Sequence, residues 1–306
     1  MHGFAVFTAS VAYLVVITGA IITSDRGVSD SGDFSLSRLL EWVKADDGHR
    51  LAAYLVAALT LTLGAALLVK DNRRWTKWLG GIAVLAVVIQ SVLGRLEARH
   101  LELALTVSHS CMAQIYFCLM VSLAIFTHPR WQWDSATGLD SGKPAVQRVS
   151  LWFSIIVFAQ IVLGAIYRDE PPSQSRGTHA IGVLPHIIGG GVIFVAVLWL
   201  LVRVLKLPAR DAGLMVLTVG LAIMVMVQVF LGVGVYMMMR FSQNAPHAPA
   251  GPIVAIVIAT VMHVALGALI FAGSVAVTYM TYRLTARPAA LGGAGSPMTL
   301  TTESLR

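Results

Sequence analysis

Four histidines of this 306-residue chain stand inside apolar stretches, and two aspartates crowd one of them. His49 lies in KADDGHRLAAYLV, His109 in ALTVSHSCMA, His186 in GVLPHIIGGG and His263 in ATVMHVALG. An ionisable side chain in such surroundings is costly, and one that persists is a functional hypothesis by default. A neutral imidazole offers a nitrogen lone pair to haem iron, and two imidazoles from facing helices give six-coordinate ligation. Zinc fits less well, because no thiolate or third ligand stands at useful spacing. The other histidines, His2, His100, His128, His179 and His247, fall in the terminus or in loops and read as solvated side chains.

The four sites differ in their neighbours. Asp46 lies three residues before His49, about one helical turn if the helix extends upstream. The bland role for Asp46 and Asp47 is capping and helix-dipole stabilisation, worth about 0.3–1 kcal/mol. The chemical role is to act on a molecule bound at His49. Arg50 either snorkels to the headgroups or pairs with a propionate, with Arg95, Arg99, Arg168 and Arg176 as weaker propionate candidates. Around His186 no acid or base stands close in sequence, which suits a haem that only moves electrons. Four residues after each histidine come Ala53, Ala113, Gly190 and Gly267, small side chains that predict a flat slot for a macrocycle. They serve plain helix packing equally well.

Composition says what must position these residues. The chain is 57% hydrophobic, 12% charged and has a mean hydropathy of +0.78. Its long apolar runs belong in lipid, where only helices or closed barrels satisfy their backbone. Continuous rather than alternating runs predict an all-α integral membrane protein with eight spans, at about 4–23, 50–69, 78–94, 103–126, 151–167, 183–202, 213–236 and 253–280. The loops and tail on one side hold 13 of the 22 Lys and Arg, against five of the 15 acids. The positive-inside rule then places both termini in the cytoplasm and the four histidines toward the outer side. The net charge of +7 is thus a matter of topology and calls for no nucleic acid. The first apolar segment lacks a basic n-region and reads as a helix rather than a leader. Cys111 and Cys118, seven apart on one helix, are about 10.5 Å apart in rise, too far for a disulfide.

The chain also repeats itself. QSVLGR at 90–95, QIVLGAIYR at 160–168 and QVFLGVGVY at 228–236 share a pattern, with a looser version in VVITGAIIT at 15–23. Aligning spans 1–4 on spans 5–8 pairs Gly19 with Gly164, His49 with His186, Gln90 with Gln228 and His109 with His263. Four spans per repeat keep the same direction, so the expectation is two parallel-repeat four-helix bundles. The expected division is 1–126 for the N-terminal half with the substrate site, 127–150 for a cytoplasmic linker, 151–283 for the C-terminal half, and 284–306 for a disordered tail.

Together these residues resemble the haem A synthase family, over nearly the whole chain to about residue 283. The resemblance rests on the eight helices in two halves, the Q-x-x-L-G segments, TGAIITS in the first helix, and one histidine in each even helix. Its most specific element is the family's E-x-x-H-R, here Asp46-Asp47-Gly48-His49-Arg50. The resemblance implies oxidation of the C8 methyl of haem O to a formyl group, giving haem A for cytochrome oxidase assembly. It implies His49 and His109 as ligands of the substrate or product haem, and His186 and His263 as iron ligands of a haem b. Asp46 then takes the place of the catalytic glutamate, with Asp47 as its rival. The implied setting is a multi-pass protein of the plasma membrane, contacting lipid. Haem O would come from a haem O synthase; the electron acceptor stays unnamed and a homo-oligomer is left open. The chain departs from the family in its shorter acid, in a first outer loop (24–48) without cysteines, and in Ile187 after His186.

Two other readings share the histidines. One is a non-catalytic dihaem b-type membrane cytochrome, the other a haem-handling assembly protein. Transmembrane electron transfer needs haems near opposite faces, whereas all four histidines fall toward one.

Overall fold

The computed structural model describes residues 1–26, 46–100, 102–129, 131, 145–169, 176–207, 211–244 and 251–285. Among the described residues the helices are α1 (His2–Arg26), α2 (Asp46–Lys70), α3 (Arg74–Glu97), α4 (Leu103–Thr127), α5 (Val146–Asp169), α6 (Arg176–Leu205), α7 (Ala212–Asn244) and α8 (Gly251–Thr285). No strand occurs among the described residues. All eight helices are long and apolar enough to cross a membrane. The helices outrun the apolar runs at several ends, because polar residues extend a helix into the interface without cost to its backbone bonds. α6 begins at Arg176 rather than near 183, and α5 at Val146 rather than 151, which shortens the expected linker. Most of that linker, and the tail after Thr285, lie outside the described residues.

Each half of the chain closes into a ring of four helices. α1 packs on α2 and α4, and α3 on α2 and α4; α5 packs on α6 and α8, and α7 on α6 and α8. The halves meet through α1 on α8, α4 on α5 and α4 on α8. α4 is therefore central, with 56% of its apolar window buried against 22% for α3. One core gathers Leu63, Leu67, Met120 and Leu123 and admits Ala268 and Ala272 of α8; the other gathers Phe153, Val197, Leu200, Leu221 and Val277. Large apolar side chains left on the outside, such as Val69, Trp78, Val216 and Phe230, form the surface that lipid would cover.

Polar groups pin helix to helix where water is absent. Tyr13 Oη donates to Ala265 O at 3.2 Å across the two halves, and Ser122 Oγ meets Tyr279 Oη at 3.1 Å. Ser150 and Ser154 on α5 meet Thr281 and Thr278 on α8 at 2.8 and 3.1 Å. Gly64 and Gly80 let α2 and α3 cross closely: a Cβ at Gly64 would stand 2.9 Å from Val84 Cγ2 and 3.6 Å from Gly80 O.

The turn between α2 and α3 is held by charge. Asp71, only 7% exposed, accepts from Arg73 N (2.9 Å), Nε (3.0 Å) and Nη2 (2.7 Å). Arg73 Nη1 donates to Phe126 O at 3.0 Å, tying the turn to the end of α4. The Arg73 hydrogen bonds hold the Asp71 carboxyl down to about 2, against the opposing effect of burial. A carboxylate with a lowered value stabilises the fold above its unfolded value of 3.8, and that stability is lost as pH falls toward 2. The Asp71→Asn variant should lose roughly 1–2 kcal/mol at neutral pH and most of the pH dependence between about 4 and 2. Thermal unfolding in detergent across this range checks it; identical acid profiles for the two proteins would refute the assignment.

Candidate functional site

Odd helices finish, and even helices begin, at the end of the molecule opposite Asp71. There each of the four histidines lies against a glycine of the preceding helix. A Cβ built on Gly19 would come 3.3 Å from His49 Cε1; on Gly94, 2.8 Å from His109 Cε1; on Gly164, 2.8 Å from His186 Cε1; on Gly232, 2.9 Å from His263 Cε1. At Gly94, Gly164 and Gly232 the distance is under 3 Å and a methyl would have to displace the ring; at Gly19 the ring would have to give by only a few tenths of an ångström. These are the glycines of the Q-x-x-L-G segments and of TGAIITS. The sequence signals them by spacing, but not their partners.

A second contact accompanies each glycine. Thr18 Oγ1 stands 2.8 Å from His49 Nδ1 and donates its one proton to Val15 O at 3.1 Å. With that proton on Val15 O the hydroxyl accepts from Nδ1–H, and in this tautomer the lone pair of His49 is on Nε2. That is the tautomer an iron ligand needs. Gln90 Nε2 faces His109 Nε2 at 3.3 Å; an amide donor there engages the Nε2 lone pair, so Gln90 would have to turn away for that nitrogen to bind a metal. Gln160 Nε2 donates to His186 O at 2.6 Å and to His186 Nδ1 at 3.1 Å. Gln228 Nε2 donates to His263 O at 2.9 Å. The buried His263 Nδ1 has no hydrogen-bond partner.

His186 and His263 come together across their ring of helices, with imidazole centroids 6.1 Å apart and planes at 65°. Two imidazoles on opposite sides of one iron, at about 2 Å per Fe–N bond, have centroids about 6 Å apart. Their donor set therefore fits axial ligation of haem. For His186 to bind through Nε2 its proton must sit on Nδ1, so the Gln160 amide must turn and present Oε1 there. His49 and His109 occupy α2 and α4, diagonal positions of the first ring. Among the described residues no group of three or more His, Cys, Asp or Glu is placed to hold a metal.

In the C-terminal half glutamine amides lie beside the small residues Gly190 and Gly267. Gln160 Nε2 lies 3.8 Å from the Cβ position of Gly190, and Gln228 Nε2 3.4 Å from that of Gly267. Gly189 meets Gln160 Oε1 as well. An amide that reaches a carbonyl on the next helix passes over that helix's surface, and glycine makes the room.

The helix of His49 does begin at Asp46, one turn upstream. The side chains of Asp46, Asp47 and Arg176 lie outside the described residues. Arg50 is exposed. Arg168 pairs through Nε with Asp169 (2.7 Å) and through Nη2 donates to Ser110 Oγ (2.9 Å), next to His109. This guanidinium joins the two halves through Ser110, a contact that its place in the sequence did not reveal. Cys111 and Cys118 are buried free thiols.

No family model matches the chain, and no curated protein matches it.

A methyl at Gly232 has to push His263 aside. Gly232→Ala should cost about 1–3 kcal/mol of overpacking, against a gain of up to about 1 kcal/mol in helix propensity. Gly234→Ala, with nothing within 4 Å, takes only the gain. Thermal unfolding of both variants tests the contact; equal stabilisation would show that His263 does not rest on Gly232.

Proposed function

We propose that the protein is a haem A synthase-like membrane oxidoreductase that converts the C8 methyl of haem O to a formyl group. The observation that supports this best is the pairing of His186 with His263 at a separation suited to bis-imidazole ligation, repeated in residue type at His49 and His109. On this reading the halves are parallel repeats related by an axis along the membrane normal. Both termini are cytoplasmic and the histidines lie toward the outer side of the plasma membrane.

His186 and His263 would hold a haem b, whose contribution when bound is one-electron transfer. His49 and His109 would hold the substrate haem O. Thr18 sets His49 for that task by keeping its proton on Nδ1. Asp46, one turn before His49, would accept the proton released near the reacting methyl or stabilise developing positive charge there. Asp47 is its neighbour and competitor, and Arg50 would pair with a propionate. No comparable acid stands beside His186, so chemistry belongs to the N-terminal half. Delivery of haem O by its synthase and use of haem A by cytochrome oxidase complete the assignment.

Purification followed by chromatography and mass analysis of extracted haems tests the reading. Haem O, its hydroxylated form or haem A is expected beside haem b; haem b alone would favour a plain dihaem cytochrome. Asp46→Asn should keep haem but cut formation of haem A at least 100-fold, the lower end of what one acid–base group contributes, about 10²–10⁴. Normal haem A from that variant would remove Asp46 from the mechanism. His186→Leu or His263→Leu should abolish the low-spin b spectrum while leaving haem O in the other half.

A further inference from the structure

We infer that Gln160 and Gln228 are positioning residues that, with Gly164 and Gly232, clamp His186 and His263 and set the planes of their imidazoles. This rests on the haem-binding reading of that pair.

The motif recurs where it is needed. Gln90, Gln160 and Gln228 each precede by four residues the glycine that receives a histidine. Four residues is one helical turn, so glutamine and glycine share a face and reach the same partner. The glycine backbone stops the ring on one side at Cε1. The glutamine amide donates to the main-chain carbonyl of the histidine, 2.6 Å to His186 O and 2.9 Å to His263 O, and Gln160 also reaches the ring itself at Nδ1. A helical carbonyl has a second lone pair for such a bond. Gly189, Gly190 and Gly267 give the amides passage to those carbonyls. Between them these contacts hold the ring planes 65° apart.

Glutamine is suited to this place because it both donates and accepts. Gln160 Nε2 faces His186 Nδ1 at 3.1 Å, and a half-turn of the amide replaces that donor by Oε1, exchanging the bond to His186 O for one accepted from the ring. A ligating imidazole donates Nδ1–H to a second group, which makes it a stronger ligand. Gln160 serves either tautomer; leucine serves neither; an ionised glutamate only accepts, and does so more strongly. In the first helix Val15 stands where the glutamine would, and Thr18 takes over the ring contact from one turn along.

The test uses the full chain in detergent, haem-loaded and haem-stripped. In the loaded protein, Gln160→Leu and Gln228→Leu should keep bis-histidine haem but shift the largest g value of the ferric low-spin signal, which reports the angle between imidazole planes. The midpoint potential should rise in the order Gln160→Glu, wild type, Gln160→Leu. Leucine variants with wild-type g values and potential would overturn the clamp. Gly164→Ala, which does not weaken the helix itself, should disturb the same signal; an unchanged signal counts against the clamp. In the stripped protein, nitrogen-15 histidine spectra should show the His186 Nδ1 resonance moving in Gln160→Leu, and no movement would refute the contact. A wild-type protein without any haem would sink the haem reading alone, since the stripped-protein spectra still decide the clamp.

Discussion

The structure depends on the close approach of an odd helix to the even helix that follows it, at a glycine. Only a residue without Cβ lets an imidazole lie on the neighbouring backbone, and the arrangement occurs at Gly19, Gly94, Gly164 and Gly232. In lipid no water relieves a misplaced polar ring, so the approach must also bring a hydrogen-bonding group. Thr18, Gln90 and Gln160 supply it at three of the rings, while Gln228 reaches the main-chain carbonyl of His263. Contact and satisfaction thus come from one short stretch of each odd helix, which is an economical way to seat a polar ligand in an apolar bundle.

That constraint accounts for other features. The two halves need not be identical in chemistry as long as each histidine is seated. In α1 a hydroxyl replaces the amide, and the acids Asp46 and Asp47 are added at the start of α2. Meanwhile the opposite end is stapled by Asp71 and Arg73 to the last turn of α4. α4, buried against both halves, carries His109 and receives Arg168 from α5 at Ser110.

Much of the architecture was legible in the residues. Eight apolar runs predicted eight helices, because backbone in lipid has few ways to satisfy itself. The free, buried state of Cys111 and Cys118 followed from their spacing along one helix. Helix ends were less legible: Arg176 to Gly182 are helical although hydropathy drops there, since hydropathy measures depth and not backbone hydrogen bonding. The small residues Gly190 and Gly267 suggested a slot for a flat ligand, yet amides from the neighbouring helix pass there. Gln160 and Gln228 were visible as repeat markers and silent as contacts.

By itself, then, the sequence determined the helices, their approximate limits and the residues worth chemical attention, because hydropathy and residue type are local properties that each segment carries alone. Only the tertiary structure decided which glycine meets which histidine, that Thr18 stands beside His49 Nδ1, that His186 and His263 lie 6.1 Å apart, and that Arg168 reaches Ser110 in the other half. Those are relations between helices far apart in the chain. They follow from how the bundles pack, which no single segment encodes.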